Sequence, residues 1–288
     1  MQKIPTLPYL ALLCGGICIG FAAIFVRLAD TGPVASAFWR LAIAAPFLLL
    51  AARWDTKRKG ASLPAPSWGS LLLGVLFAAD LGVWHWSIHF TTVANATLLG
   101  NFAVIFVSLF AWNFWRQRQG ICFVASLILA LAGTVLLTGA HFGAWGPQAL
   151  GDVLGLLTAL LYASYMIVLS RVRRQLDTLP LMAWSSTVSA LVLLPLALIS
   201  PQPFWPESGA GWSVVIGMAL VTQVLGQVLI AYAFVHMAPT LSAVSLLIQP
   251  VIAALAAWLI FNEALTGASL FGALLVLAGL ILARLSAR

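Results

Sequence analysis

Arg53-Trp-Asp-Thr-Lys-Arg-Lys59 packs four cations into a short break between two long apolar runs. The flanking runs, residues 34–52 and 67–90, are each long enough to cross a bilayer core, which takes about 20 apolar residues. Working outward, only every second break repeats this basic character. Lys3 precedes the first run; Arg116 and Arg118, then Arg171, Arg173 and Arg174, and finally Arg284 and Arg288 mark the others. The intervening breaks carry Asp30, Asp152, Glu207 and Glu263 instead. Because cytoplasmic loops of membrane proteins are enriched in Lys and Arg, the basic breaks are expected inside, which puts both termini in the cytoplasm.

Composition agrees. Of 288 residues, 62% are hydrophobic and 7% are charged, against roughly 25% charged in a soluble domain. A water-facing surface is thereby excluded for most of the chain. The net charge of +7 sits in juxtamembrane clusters, which suit orientation and anionic headgroups rather than nucleic acid. Ten spans are predicted: 8–28, 34–52, 67–90, 95–114, 120–139, 151–170, 179–200, 212–235, 239–262 and 267–285. All must be α-helices, since every backbone group in lipid has to be satisfied within its own segment. The run after Lys3 reaches Arg27 without a small-residue cleavage site, so it reads as a retained helix rather than a signal peptide. Cys14, Cys18 and Cys122 all lie in apolar runs, and no disulfide framework or metal spacing follows.

The chain repeats itself. Trp68 and Trp212 each open a span; Phe90-Thr-Thr-Val-Ala94 parallels Phe234-Val-His-Met-Ala238; Ala111-Trp112 parallels Ala257-Trp258; Ala132-Gly133 parallels Ala278-Gly279. Each half, residues 1–140 and 151–288, holds five spans. An odd number makes equivalent helices cross in opposite directions. The charges agree, since basic Arg53–Lys59 matches the acidic Pro201–Gly211 break. Inverted repeats of this kind serve alternating access in secondary transporters.

Specific residues also carry a resemblance. Ala238-Pro239-Thr240, Gln249-Pro250-Val251, Asn262-Glu263-Ala264-Leu265-Thr266, Gly272 and Gly279 in the second half, with Pro33, Phe38-Trp39-Arg40-Leu41 and Ala94-Asn95-Ala96-Thr97 in the first, resemble the drug/metabolite transporter superfamily in its ten-helix EamA-type branch. Val104 and Gln117 stand where the first half would have that pattern's proline and glutamate. Size and aromatic content are most similar to bacterial aromatic amino-acid exporters of the YddG type. The resemblance implies a multi-pass carrier of the bacterial inner membrane that exports small metabolites, works as a monomer and needs no cofactor.

The candidate cavity residues are few. Asp80, in the middle of a span, is costly in lipid and must face a partner or a wet cavity. It is either a site for a substrate amine or proton, or a structural partner of Arg40. Asp80 and Trp84 share a helix face, with His85 and His89 on the next. Trp84 and His85 suit an aromatic solute, or simple helix packing. Metal at His85 and His89 lacks a third ligand. Gln223, Gln227, Gln249 and Asn101 can hold an amino acid's charged end without a fixed charge, or they glue helices together. Tyr162 and Tyr165 lie too deep for the interfacial belt and need hydroxyl partners. Seven of the twelve tryptophans, among them Trp115 and Trp145, fall near span ends, where the belt accounts for them. Arg40 is expected to bridge helices or snorkel outward. Pro250 should interrupt the hydrogen-bond ladder of its span and is the hinge candidate, and Pro46 and Pro195 should interrupt the ladders of theirs.

Function follows as an expectation: an exporter of aromatic amino acids, or a broader drug and metabolite carrier in either direction. An intramembrane enzyme is the remote alternative, because Asp80 and His85 lack an activated nucleophile or paired carboxylate. No P-loop motif is present for ATP.

Overall fold

The computed structural model describes residues 5–91, 93–116, 119–138 and 147–286, apart from the side chains of residues 93, 94, 115 and 147. Lys3, Thr92, Gln117, Arg118, Trp145 and Arg288 lie outside the described residues, as do the side chains of Ala94 and Trp115. Among the described residues, ten helical spans are long and apolar enough to cross a membrane: Thr6–Leu28, Pro33–Arg58, Trp68–Phe90, Asn95–Phe114, Ile121–Thr138, Gln148–Val172, Thr178–Ile199, Gly209–Phe234, Pro239–Phe261 and Gly267–Ser286. They are numbered spans 1 to 10 below. Large apolar side chains such as Leu72, Ile128, Leu191 and Leu274 remain exposed on their outer faces, as a hydrocarbon solvent allows.

Local chemistry sets the ends. The Ser67 and Ser208 hydroxyls cap spans 3 and 8, accepting from Ser70 N at 3.2 Å and Gly211 N at 2.8 Å. Such caps satisfy backbone donors that the first turn leaves open. Proline opens spans 2 and 9, where its missing N–H costs nothing. Two corresponding helices end on left-handed residues, Arg116 at φ 50° and Asn262 at φ 54°.

Spans 5 and 10 cross most closely. A Cβ at Gly133 would lie 2.6 Å from Gly272 O, and one at Gly272 would lie 2.6 Å from Leu137 N. A Cβ at Gly279 would meet Ser126 O at 2.8 Å. As residue numbers rise along one helix they fall along the other, so the two spans run antiparallel. The same offset carries Ser126 to Gly272 and Gly133 to Gly279, and it exchanges the two contacts.

Four spans depart from a continuous α-helix. Span 1 breaks at Phe21, between Thr6–Gly20 and Ala22–Leu28. Span 4 breaks at Phe102, with φ −67° and ψ −4°. Span 9 breaks at Leu246 and Leu247, the latter with φ −65° and ψ −1°. Span 8 widens to a π-helix over Ala219–Gln227. The breaks at Phe102 and Leu247 occupy equivalent places in the two halves and share i to i−3 bonds: Phe102 N to Leu99 O at 3.0 Å and Leu247 N to Val244 O at 3.0 Å.

The prolines stand apart from these breaks. The helices of spans 2 and 7 continue through Pro46 and Pro195. Span 9 breaks before Pro250, which sits in the first turn of Ile248–Phe261, where an N–H would have no intrahelical partner.

Each end of the bundle is tied. On the acidic side Arg27 pairs with Glu263 and lies 4.2 Å over the Phe261 ring. The Ser208 hydroxyl donates to Asp30 at 2.8 Å, and Trp39 Nε1 donates to Phe204 O at 2.8 Å. On the basic side Lys59 bridges Asp55 at 2.7 Å and Asp177 at 2.9 Å. Those two carboxylates, Asp55 first, hold the ammonium pKa above its usual value. Arg173 Nε donates to Ala231 O at 3.0 Å; burial pulls its guanidinium pKa down, and Asp177 partly offsets that.

Candidate functional site

The irregular segments meet at one place. A cavity of about 120 Å³ is bounded by Gly20 and Ala22 at the break of span 1, Gly100 and Asn101 at the break of span 4, and Gln249 and Pro250 just past that of span 9. A helix that breaks exposes backbone polar groups, and in a membrane that is tolerated only where protein or a wet cavity receives them. Gly20 also lets span 1 approach span 9, since a Cβ there would stand 2.7 Å from Ile252 Cβ.

Two opposite charges face this space. Asp80 comes from span 3 and Arg40 from span 2; they are only 7% and 6% exposed. They interact electrostatically, yet among the described residues no ion pair within 4 Å joins them. Arg40 Nε donates to Gln223 Oε1 at 3.2 Å, and Gln223 Nε2 donates to Ser186 Oγ at 3.0 Å. The guanidinium carbon lies 5.7 Å from the centre of the Phe77 ring. Aromatic walls come from Phe77, Trp84 and Tyr162. Thr97 Oγ1, Thr158 Oγ1 and Gln249 Nε2 are buried polar atoms of cavity-lining residues with no hydrogen-bond partner among the described residues. Such atoms are costly unless something in the cavity satisfies them.

Of the residues singled out by sequence, Asp80, Trp84, Asn101, Tyr162, Gln227, Gln249 and Pro250 line the cavity. Three stand behind or beside it. Gln223 is the support of Arg40. Tyr165 donates its hydroxyl to Gln227 Oε1 at 3.4 Å and stacks on Tyr162 with ring centres 6.1 Å apart. His85 faces away: Nδ1 donates to Leu81 O at 2.6 Å, and the residue borders a separate space of about 390 Å³ with Trp86 and His89. Asn101 Nδ2 is turned to Thr97 O at 2.9 Å.

Arg40 is the residue that sequence reasoning undervalued. It bridges spans 2 and 8 as expected, but it does not snorkel, and it also lines the cavity. Its place inside an apolar run, two turns past Pro33, was the available signal. Phe77 carried none, being an ordinary residue of an apolar helix, and Thr97 carried only its place in Ala94-Asn95-Ala96-Thr97.

With that geometry in view, comparison with known proteins is decisive at the level of family. The EamA-like transporter family profile matches residues 6–139 and again 149–285. The chain belongs to the EamA-like transporter family. It is thus a multi-pass membrane transporter. An uncharacterized transporter of Archaeoglobus fulgidus is 27% identical over 273 residues, covering 91% of each chain. The pseudopaline exporter CntI of Pseudomonas aeruginosa is 26% identical over 211 residues, covering 73% of this chain and 72% of that one. A solved crystal structure of a protein 18% identical superposes with a TM-score of 0.83 over 96% of each chain, a likeness of fold.

Proposed function

We propose that this EamA-family transporter exports zwitterionic aromatic amino acids across the bacterial inner membrane. The observation that carries the reading is the pair Arg40 and Asp80, which line one cavity without forming an ion pair with each other. A carboxylate suits the guanidinium and an ammonium suits the aspartate, so a zwitterion answers both. Phe77, Trp84 and Tyr162 offer ring faces and edges for an aromatic side chain. The volume of about 120 Å³ is small beside the 300–1,000 Å³ of typical drug-sized sites, which favours an amino acid over a bulky drug. Outward direction draws support from the relative named an exporter.

In this reading two inverted five-helix repeats, residues 1–140 and 151–288, rock about the cavity, with both termini cytoplasmic. The antiparallel contact of spans 5 and 10 and the matching breaks at Phe102 and Leu247 support that symmetry. Corresponding interruptions in two repeats are the recognised mark of a transporter's binding site. The breaks, rather than Pro250 itself, are where each half can flex. The carrier acts as a monomer without a cofactor.

The test is counterflow in proteoliposomes preloaded with phenylalanine, tryptophan, leucine, lysine or glutamate. Preloaded aromatic amino acids should drive uptake of labelled phenylalanine, and lysine and glutamate should not. Equal exchange by all five, or none above empty vesicles, overturns the assignment of cargo.

A further inference from the structure

A further concave site lies on the outer, lipid-facing flank of spans 4 and 6, and it shares no lining residue with the central cavity. It is a groove of about 600 Å³ in the half of the protein nearer the basic breaks. Aromatic side chains build its walls: Phe106, Phe110, Trp112 and Phe114. Phe110 and Phe114 stack with ring centres 4.4 Å apart, whereas Trp112 and Phe114 are 61% and 66% exposed. The exposed rings and the concavity would pack poorly against freely exchanging lipid, whereas one chain seated along them would gain dispersion contacts on several sides.

The basic end of the groove decides what that chain carries. The Arg171 guanidinium carbon lies 5.8 Å from the centre of the Phe110 ring, so a cation stands directly on a groove wall. Arg116 is exposed at the end of the helix Ala103–Trp115 that supplies the aromatic wall. Among the described residues no acidic side chain lines the groove. We infer that the groove holds one anionic phospholipid from the leaflet on the basic side, with an acyl chain along the aromatic wall and the phosphate between Arg171 and Arg116. A guanidinium presents paired donors to phosphate oxygens, and basic residues at a membrane surface favour anionic headgroups. Charge also argues against a second copy of this chain as occupant. A two-fold contact through this flank would set the same arginines against their own equivalents.

Native mass spectrometry of the full chain, with phosphatidylglycerol or phosphatidylcholine added to the detergent, tests the assignment. The wild type should retain one phosphatidylglycerol with a clear preference over phosphatidylcholine. Arg171→Gln and Arg116→Gln should each cut that preference about five-fold. Ser164→Phe should fill the groove and release the bound lipid of either class. Its hydroxyl donates to Leu160 O in its own helix, at 2.8 Å, and the two arginine variants test the site even if this one misfolds. Equal retention of both lipids by the wild type, an undiminished preference in both arginine variants, or a dimer that Ser164→Phe separates would each overturn the proposal.

Discussion

Arg40→Gln and Asp80→Asn should divide the cargo into its two charged ends. Arg40 is buried and commits one N–H, Nε, to Gln223 at 3.2 Å. Its remaining donors are those a carboxylate would take. A hydrogen bond to a charged group contributes about 1.5–3 kcal/mol, and each 1.4 kcal/mol is about ten-fold in affinity. Arg40→Gln should therefore weaken phenylalanine binding about 10- to 100-fold. Phenethylamine keeps the ring and the ammonium but has no carboxylate to lose. Its affinity should hold or tighten, because Asp80 then faces no competing cation. Asp80→Asn should act in the opposite sense, weakening phenylalanine and sparing 3-phenylpropionate. Binding to the purified wild type and both variants, measured by calorimetry, gives all nine affinities. A structural loss is separable. Without Arg40, Gln223 keeps its bond to Ser186 at 3.0 Å, and leaving its Oε1 unpaired costs about 1–3 kcal/mol of stability. That loss would appear as a lower melting temperature and would hit every ligand alike. If a variant that melts normally weakens phenylalanine and phenethylamine equally, Arg40 does not recognise the carboxylate, and the zwitterion argument fails.

Two further outcomes concern stability. Gly133→Ala should destabilise by about 1–3 kcal/mol from overpacking, because the new Cβ would stand 2.6 Å from Gly272 O and 2.7 Å from Val276 N, both backbone atoms. Gly272→Ala strains the same crossing, so the double variant should cost less than the two together. Gly267→Ala, with nothing within 4 Å, is the control, and a thermal melt in detergent that fails to separate it from Gly133→Ala contradicts the close approach. The second outcome is a pH profile. Because Asp55 and Asp177 raise the Lys59 pKa, its contribution is complete below the unfolded value of about 10.4 and is lost as pH rises through the folded one. The melting difference between wild type and Lys59→Met should stay flat from pH 6 to 9, vanish in stronger alkali, and shrink in high salt. A difference that changes between pH 6 and 9 would show that other groups govern this tie.

How far sequence could see depended on which solvent imposes the order. Lipid dictates the spans directly: an apolar run of the right length has to be a helix, so nine of the ten spans were legible to within three residues, whereas span 2 runs six residues past its expected end, through the basic cluster to Arg58. Contacts between helices are a different matter. The bond from Arg40 to Gln223 joins residues 183 positions apart, and nothing local to span 2 announces it. A cation in an apolar run looks the same whether it faces lipid or a cavity. His85 shows the finer limit. It follows Trp84 in the chain, but a helix turns about 100° per residue, enough to aim one side chain into the cavity and its neighbour elsewhere. The breaks show a third limit. Pro250 marks the neighbourhood of an interruption in span 9, yet the equivalent break at Phe102 forms with Val104 and no proline. What the two places share is tertiary. Asn101 just before one break and Gln249 just after the other border the same cavity, which gives freed backbone groups somewhere to turn. Cause therefore runs from the cavity to the break as much as from the break to the cavity. A proline substituted at Val104 would stand in the first turn of Ala103–Trp115, just past the break, and should be tolerated there, as Pro250 is.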